Sequence, residues 1–210
     1  LEKTYHDLPK DIVDEIILVD DCSIDNTVEI AKKLGLAVIA HEKNLGYGGN
    51  QKTCYRAALE ARADIVVMIH PDYQYDATKI ADLALPIIRK ECDAVFGSRI
   101  LNNGALRGGM PLYKFLGNRL LTSMENLVLR QSLSEYHTGL RAYSNRLLRS
   151  LYLDLNSDDF VFDTEIIVQL VAVGYTIQEI PIETRYFPEA SSINFRRSVT
   201  YGTQTILTLL

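Results

Sequence analysis

Residues Ile65 to Tyr75 read IVVMIHPDYQY, and this stretch decides the fold. Five apolar residues in succession, Ile65 to Ile69, mark a strand buried on both faces of a mostly parallel sheet. The run then turns polar at once, through His70, Asp72 and Gln74. In open α/β sheets, ligands bind beyond the carboxyl ends of the strands, so chemistry is expected here. Asp72 and Gln74 present hard oxygen donors two residues apart, a spacing that suits one cation bridging phosphates. A polar turn after a core strand is the rival reading of the same residues.

Working outward, the pattern repeats. Ile16 to Val19 is a short apolar strand followed by Asp20, Asp21 and Asp25, after which Val28 to Leu34 reads as a helix closed by Gly35. Asp25 or Asn26 suits the N-cap of that helix. Two adjacent carboxylates at a strand end repel one another and require a donor or cation, and a nucleoside base or ribose supplies such donors. Leu36 to Ala40 is the next strand. Residues Asn44 to Asn50, NLGYGGN, form a glycine-rich loop entering a helix over 51–63. Gly46 and its neighbours allow close backbone approach to an anion such as a pyrophosphate, although a tight turn needs the same residues. Lys52 either adds positive charge to that loop or lies on an exposed helix face.

A helix over 76–90, kinked or ended by Pro86, leads to a strand at Ala94 to Phe96 and then to Arg99, which can pair with a phosphate or with a loop carboxylate. The resulting β-α-β-α-β-α-β order predicts an α/β fold with a mostly parallel sheet flanked by helices. A glycine-rich loop over 102–111 precedes a helix over 112–129, on which Lys114 and Asn118 share a face four residues apart and can address one anion, or water. Asp163 opens a helix ending at Gly174, as a cap or as a functional carboxylate. The last strand, 177–182, contains Pro181 and so belongs near a sheet edge. A terminal helix from Phe195 has an apolar side and two arginines at its start, which suits packing in the fold or an interfacial position on a membrane.

With 210 residues, 47% hydrophobic and 23% charged, the composition is that of one globular domain. A net charge of −5 without a basic run argues against nucleic acid as a partner. Three scattered cysteines, Cys22, Cys54 and Cys92, point to reduced thiols and a cytoplasmic setting. No stretch of 18 apolar residues is present to span a membrane. The helix-like start at Leu1 and the unterminated apolar end at Leu210 are those expected of a fragment of a longer protein.

These pieces, in this order, resemble the family 2 inverting nucleotide-sugar glycosyltransferases with the GT-A fold, and among them the dolichyl- and polyprenyl-phosphate sugar synthases. The likeness rests on Val19-Asp20-Asp21-x-Ser23-x-Asp25-x-Thr27, the Asn44-x-Gly46 loop, His70-x-Asp72-x-Gln74, Gly97-Ser98-Arg99 and the run Thr138 to Tyr143 containing Arg141. It implies that Asp20, Asp21 and Asp25 bind the nucleoside. Asp72 and Gln74 would hold Mg²⁺ or Mn²⁺ against the diphosphate of the donor. Arg99, Lys114, Asn118 and Arg141 would surround the acceptor or donor phosphate, and Asp163 becomes the general base if the acceptor is a glycan hydroxyl. His70 stands where the family has an aspartate, and Lys114 where an arginine is usual.

The family's first strand is not found, and Phe187 to Ile193 do not match the late Arg-x-x-Gly-x-Ser-Lys pattern of the synthases. The implied partners are a nucleotide-sugar donor and a lipid-phosphate or glycan acceptor, with peripheral contact at the cytoplasmic face of a membrane. Two other readings share this plan: a non-catalytic sugar-nucleotide-binding module, and a nucleotidyltransferase.

Overall fold

Strand Ile17–Asp20 (β1) and strand Ala37–Ala40 (β2) pair in parallel, connected by helix Thr27–Lys33 (α2). Helix Gly46–Glu60 (α3) then leads to Ile65–Met68 (β3), the strand that opens the sequence reading. These features come from the computed structural model, which describes residues 1–186 and 195–210. The late-pattern stretch Phe187 to Ile193 lies outside the described residues.

Helix Ile80–Ile88 (α4) runs through Pro86 for two more residues before it ends, so the proline neither stops nor starts it. Strand Ala94–Ser98 (β4), short helix Gly104–Arg107 (α5) and long helix Leu112–Leu129 (α6) follow. Strand Arg141–Ser144 (β5) passes directly into helix Asn145–Ser150 (α7), capped where Ser144 Oγ accepts from Leu147 N at 3.2 Å. Helix Phe162–Val173 (α8), strand Ile177–Pro181 (β6) and helix Phe195–Thr208 (α9) complete the chain, with short helix Glu2–Asp7 (α1) at its start.

The second sheet has the order β3-β5-β4-β6. β6 is parallel to β4 at one edge, where Pro181 is tolerated because its missing N–H faces no neighbouring strand among the described residues. β5 lies antiparallel between β3 and β4, with Val66 opposite Tyr143 and Val95 opposite Ala142. A four-residue strand such as Arg141-Ala142-Tyr143-Ser144 carries no mark of chain direction, so the inserted antiparallel strand departs from the simple alternating order.

Alternation along these strands divides the core. Ala94, Phe96 and Tyr143 pack with Tyr55, Phe162, Ile166 and Leu147 from α3, α8 and α7. Val95 and Ala142 face the opposite way, against Leu83 and Ile87 of α4. Each fully buried large apolar side chain of this kind contributes about 1.5–3 kcal/mol relative to exposure. The sheet is thus fixed from both sides, and its strand ends are held rigidly.

Among the described residues no ladder joins β1 to β3: β1 pairs with β2, and β3 pairs with β5. The remaining edge of each is open, and Ile17, Leu18, Val19 and Ile65 to Met68 all line one large cavity.

Candidate active site

The cavity has a volume of about 1730 Å³ and runs along the strand ends, where it gathers Asp25, Tyr47, His70, Asp72, Gln74, Arg99, Lys114, Asn118, His137 and Asp163. Asp20, Asp21, Gly46, Lys52 and Arg141 stand behind this lining. Their positions follow from local chemistry.

At the end of β1, Asp20 is buried and its Oδ2 accepts from Ser23 N at 3.0 Å. Asp21 turns the other way. It accepts from Leu45 N at 2.8 Å and Gly46 N at 3.0 Å, and meets His41 Nδ1 at 2.8 Å. The adjacent carboxylates therefore have separate sets of donors, and Asp21 fixes the glycine-rich loop onto the end of the strand. Gly46 takes a positive φ of 86°, and a Cβ there would come within 2.6 Å of the Asp158 carbonyl oxygen. Lys52 is buried, donating to the Asn156 carbonyl at 2.5 Å and to Asp158 at 2.7 Å. Its charge ties α3 to the segment before α8. Asp25 is exposed and accepts from Thr27 N at 3.0 Å; hydrogen bonding from the Thr27 side chain, and then from this backbone N–H, lowers its pKa.

After β3, Asp72 Oδ1 accepts from Gln74 N at 3.0 Å, while Tyr73 between them takes a positive φ of 64°. That unfavourable conformation is held from several directions. The Tyr73 hydroxyl donates to Asp7 at 2.8 Å, the Arg185 guanidinium lies 4.2 Å from its ring centroid, and Thr4 Oγ1 donates to the Pro71 carbonyl at 3.2 Å. α1 thus grips the loop that carries Asp72 and Gln74. Among the described residues no three His, Cys, Asp or Glu side chains converge as a closed metal cage. One carboxylate and one amide oxygen fit a small divalent ion whose other positions are filled by water and substrate phosphates.

His70 lies flat against the chain at Gly139, where a Cβ would be 2.7 Å from its ring. The rings of Tyr47 and Tyr75 meet it edge-on. Burial lowers its pKa, against the opposing pull of Asp72 and Asp163.

Asp163, in the first turn of α8, is held by three side chains. The Tyr47 hydroxyl donates to Oδ2 at 2.9 Å, Gln51 Nε2 donates to Oδ1 at 3.4 Å, and Arg141 Nη1 is 3.3 Å from Oδ1. Arg141 itself is sealed in the interior, donating to the carbonyls of Thr138 at 2.7 Å and Tyr136 at 2.8 Å. Burial, joined by the nearby Asp163 charge, keeps the Tyr47 phenol protonated, with a pKa well above 10.0.

Arg99 reaches the cavity with its charge already matched. Its Nε donates to Glu135 at 2.8 Å and Nη1 to the Tyr186 hydroxyl at 3.0 Å, and Nη2 also reaches Glu135. Asn118 Nδ2 donates to the same carboxylate at 2.8 Å. Lys114, one turn earlier on α6, makes no ion pair among the described residues. Partial burial and the Arg99 charge lower its pKa.

The sequence reading had paired Lys114 with Asn118 on one face. The structure keeps that face and divides the roles, with Asn118 bound to Glu135 and Lys114 presented to the cavity. Tyr47, Gln51, Tyr75 and Glu135 escaped the sequence reading. Only Tyr47 carried a local signal, as the one aromatic residue inside a glycine-rich loop.

The sequence model described as Glycosyl transferase family 2 matches residues 1–152. The chain belongs to that family. Among family 2 relatives, the UDP-N-acetylglucosamine--dolichyl-phosphate N-acetylglucosaminyltransferase of Methanococcus voltae is 32% identical over 203 residues, covering 89% of this chain and 80% of its own. The uncharacterized protein MJ1222 of Methanocaldococcus jannaschii is 32% identical over 184 residues, covering 88% and 75%. The fold is that of glucosyl-3-phosphoglycerate synthase from Mycobacterium tuberculosis, crystallised with Mn²⁺, UDP and phosphoglyceric acid. That structure aligns with a TM-score of 0.74 at 20% identity, over 100% of this chain and 72% of the synthase. The α/β plan described above is therefore the GT-A fold of a family 2 glycosyltransferase.

Proposed function

We propose that this chain transfers a sugar, with inversion, from a nucleotide-sugar to the phosphate of a polyprenyl or dolichyl lipid. The observation that carries the choice of acceptor is the state of Asp163. A glycan hydroxyl needs a base to take its proton, and Asp163 is the carboxylate placed for that role. Its oxygens are already engaged by Tyr47, Gln51 and the buried Arg141 cation, so an acceptor hydroxyl would have to compete with those partners for the carboxylate. A lipid phosphate arrives already ionised and needs no such base. The Methanococcus relative, by its name, acts on dolichyl phosphate, and this supports the same choice.

In the proposed reaction a phosphate oxygen of the acceptor attacks the anomeric carbon from the face opposite the nucleotide. The new C–O bond forms as the bond to the diphosphate breaks, and the electron pair leaves on the diphosphate. Asp20 and Asp25 lie at the nucleoside end. Asp72 and Gln74 would hold Mg²⁺ or Mn²⁺, which supplies charge stabilisation to the leaving diphosphate when bound. Lys114 is placed to meet a phosphate from the α6 side, with Arg99 and Asn118 fixed behind it through Glu135. As a compact cation, Lys114 neutralises charge without the bidentate geometry of an arginine.

The test is a transfer assay with UDP- and GDP-sugars, offering polyprenyl phosphate and a neutral glycan as alternative acceptors, in wild type and Asp163→Ala. The proposal expects product only with the lipid phosphate and the anomeric configuration inverted. Transfer to the glycan that disappears in Asp163→Ala would make Asp163 a base and overturn the choice of acceptor. Tight nucleotide-sugar binding without turnover on either acceptor would instead fit a binding module.

A further inference from the structure

Helix α6, which brings Lys114 to the cavity, also buries a carboxylate. Glu125 is fully buried, and its Oε2 lies 3.0 Å from His137 Nε2. Its other oxygen finds no hydrogen-bond donor among the described residues, where His137 is also its one ion-pair partner. The opposite nitrogen of that imidazole, Nδ1, lies 2.8 Å from the Tyr201 hydroxyl of α9, and the two rings meet edge-on. α9 packs against α6 and α8, with Gly202 lying against Leu121. His137 and Tyr201 both line the cavity, whereas Glu125 does not. The Tyr201 oxygen is 3.5 Å from Thr164 Oγ1, too long for an effective O–H···O bond. Burial raises the pKa of Tyr201, so the phenol keeps its proton.

Charge balance fixes the direction of these bonds. A buried charge without a countercharge is costly, so the Glu125–His137 pair is held together by one shared proton. With that proton on the imidazole, both ring nitrogens are donors. With it on the Glu125 carboxyl, Nε2 accepts it and the neutral ring keeps its own hydrogen on Nδ1. In either state Nδ1 donates to the Tyr201 oxygen. The hydrogen of that hydroxyl is then directed away from His137, and among the described residues no strong acceptor takes it.

We propose that Tyr201 is a further substrate-binding residue, whose hydroxyl, oriented by His137 and Glu125, donates a hydrogen bond to a phosphate oxygen of the acceptor. The identity of that acceptor rests on the lipid-phosphate reading above. Tyr201 belongs to the part of the cavity lined by α6 and α9, which also carries Lys114. The nucleoside candidates Asp20 and Asp25 stand at the end of β1 and in the loop after it, in the other sheet. Lys114 supplies charge as a compact ammonium without fixed direction, and the Tyr201 O–H supplies direction. A donor of this kind gains more from an anionic oxygen than from a neutral hydroxyl. His137 and Glu125 are positioning residues that act through Tyr201.

Two measurements on the whole chain test the proposal. In protein labelled with ¹⁵N in its imidazoles, one of the four histidine signals disappears in His137→Gln and is thereby assigned. Its Nδ1 is expected to show the shift of a hydrogen-bearing nitrogen, and a proton-free Nδ1 would overturn the orientation. Binding is then measured for a short polyprenyl phosphate, the corresponding polyprenol and UDP. Tyr201→Phe is expected to weaken the phosphate about tenfold and to leave the polyprenol and UDP unchanged. Glu125→Leu combined with His137→Leu replaces the buried pair by packing and is expected to keep thermal stability. It should still lose the same tenfold, with no further loss when Tyr201→Phe is added. Full phosphate affinity in Tyr201→Phe or in the double-leucine variant, or equal losses for all three ligands, would overturn the proposal. Phosphate binding that depends on Tyr201, in a chain that transfers no sugar to that phosphate, would leave the proposal standing and remove the lipid-phosphate reading.

Discussion

The Tyr47 hydroxyl donates to Asp163 Oδ2 at 2.9 Å, across 116 positions of sequence. The Tyr47 hydroxyl oxygen also lies 3.5 Å from His70 Nε2, and the Tyr47 ring stacks on Phe160 at 5.0 Å between centroids. One phenol thus links the glycine-rich loop, the polar turn after β3 and the start of α8. Tyr47→Phe keeps the stacking and removes the donor. A hydrogen bond to a charged group contributes about 1.5–3 kcal/mol. Transfer is therefore expected to fall by roughly 10- to 100-fold if the bond is needed in the transition state. The split of the loss between kcat and KM for each substrate reads out whether the site or only the fold was affected, and unchanged turnover would detach Tyr47 from the reaction.

Arg141 and Asp163 form an ion pair in which Arg141 is 1% exposed. Removing one partner strands the other charge in the interior. Asp163→Ala is expected to lower stability by about 3–5 kcal/mol, read from the denaturation midpoint and slope. Asp163→Asn keeps hydrogen-bonding capacity and is expected to cost less. Equal, small effects for the two variants would show that solvent relaxes around Arg141 more freely than its burial implies.

Asp7 holds the Tyr73 hydroxyl at 2.8 Å, and Tyr73 sits between Asp72 and Gln74 at positive φ. Loosening this grip should degrade ion binding before it degrades the fold. For Asp7→Asn and Tyr73→Phe, Mn²⁺ binding in the presence of UDP or GDP is expected to weaken about tenfold, equivalent to about 1.4 kcal/mol. Titration of the free-Mn²⁺ paramagnetic resonance signal measures it, with thermal unfolding as the control. Wild-type Mn²⁺ affinity in both variants would remove α1 from the site.

Glu135 is fully buried, and burial alone would raise its pKa. The Arg99 guanidinium outweighs this and holds the carboxyl below its ordinary 4.5. A carboxylate depressed in the folded state stabilises the fold above its unfolded pKa, and that contribution disappears as the pH falls through the folded value. The stability difference between wild type and Glu135→Gln is therefore expected to be full at pH 7 and to shrink on acidification below about pH 4.5. A difference that stays constant from pH 7 to pH 3 would contradict the Arg99–Glu135 pairing.

The parts legible in sequence were those encoded locally. Ile65 to Ile69 announced a core strand by composition alone, and the polar residues after successive strands announced where the cavity lies. The direction of β5 was illegible because Arg141-Ala142-Tyr143-Ser144 fits either orientation equally well. Arg99 could be read as a cation at a strand end. Its partner Glu135, 36 residues later, was set by the return of the chain from α6. Arg141 looked like a phosphate ligand for the same reason: nothing local reveals that it faces inward to Asp163. Side chains paired over such distances become visible only once the sheet order is known.

The central claim is that the loop after β3 supports departure of a nucleoside diphosphate through Asp72. Its most direct test is the rate of sugar transfer to a short polyprenyl phosphate, measured with Mn²⁺, with chelator, and in Asp72→Ala. The expected result is a loss of at least about 10²-fold in Asp72→Ala and a similar loss on chelation in the wild type. Undiminished transfer by Asp72→Ala, or turnover indifferent to chelator, would contradict the account.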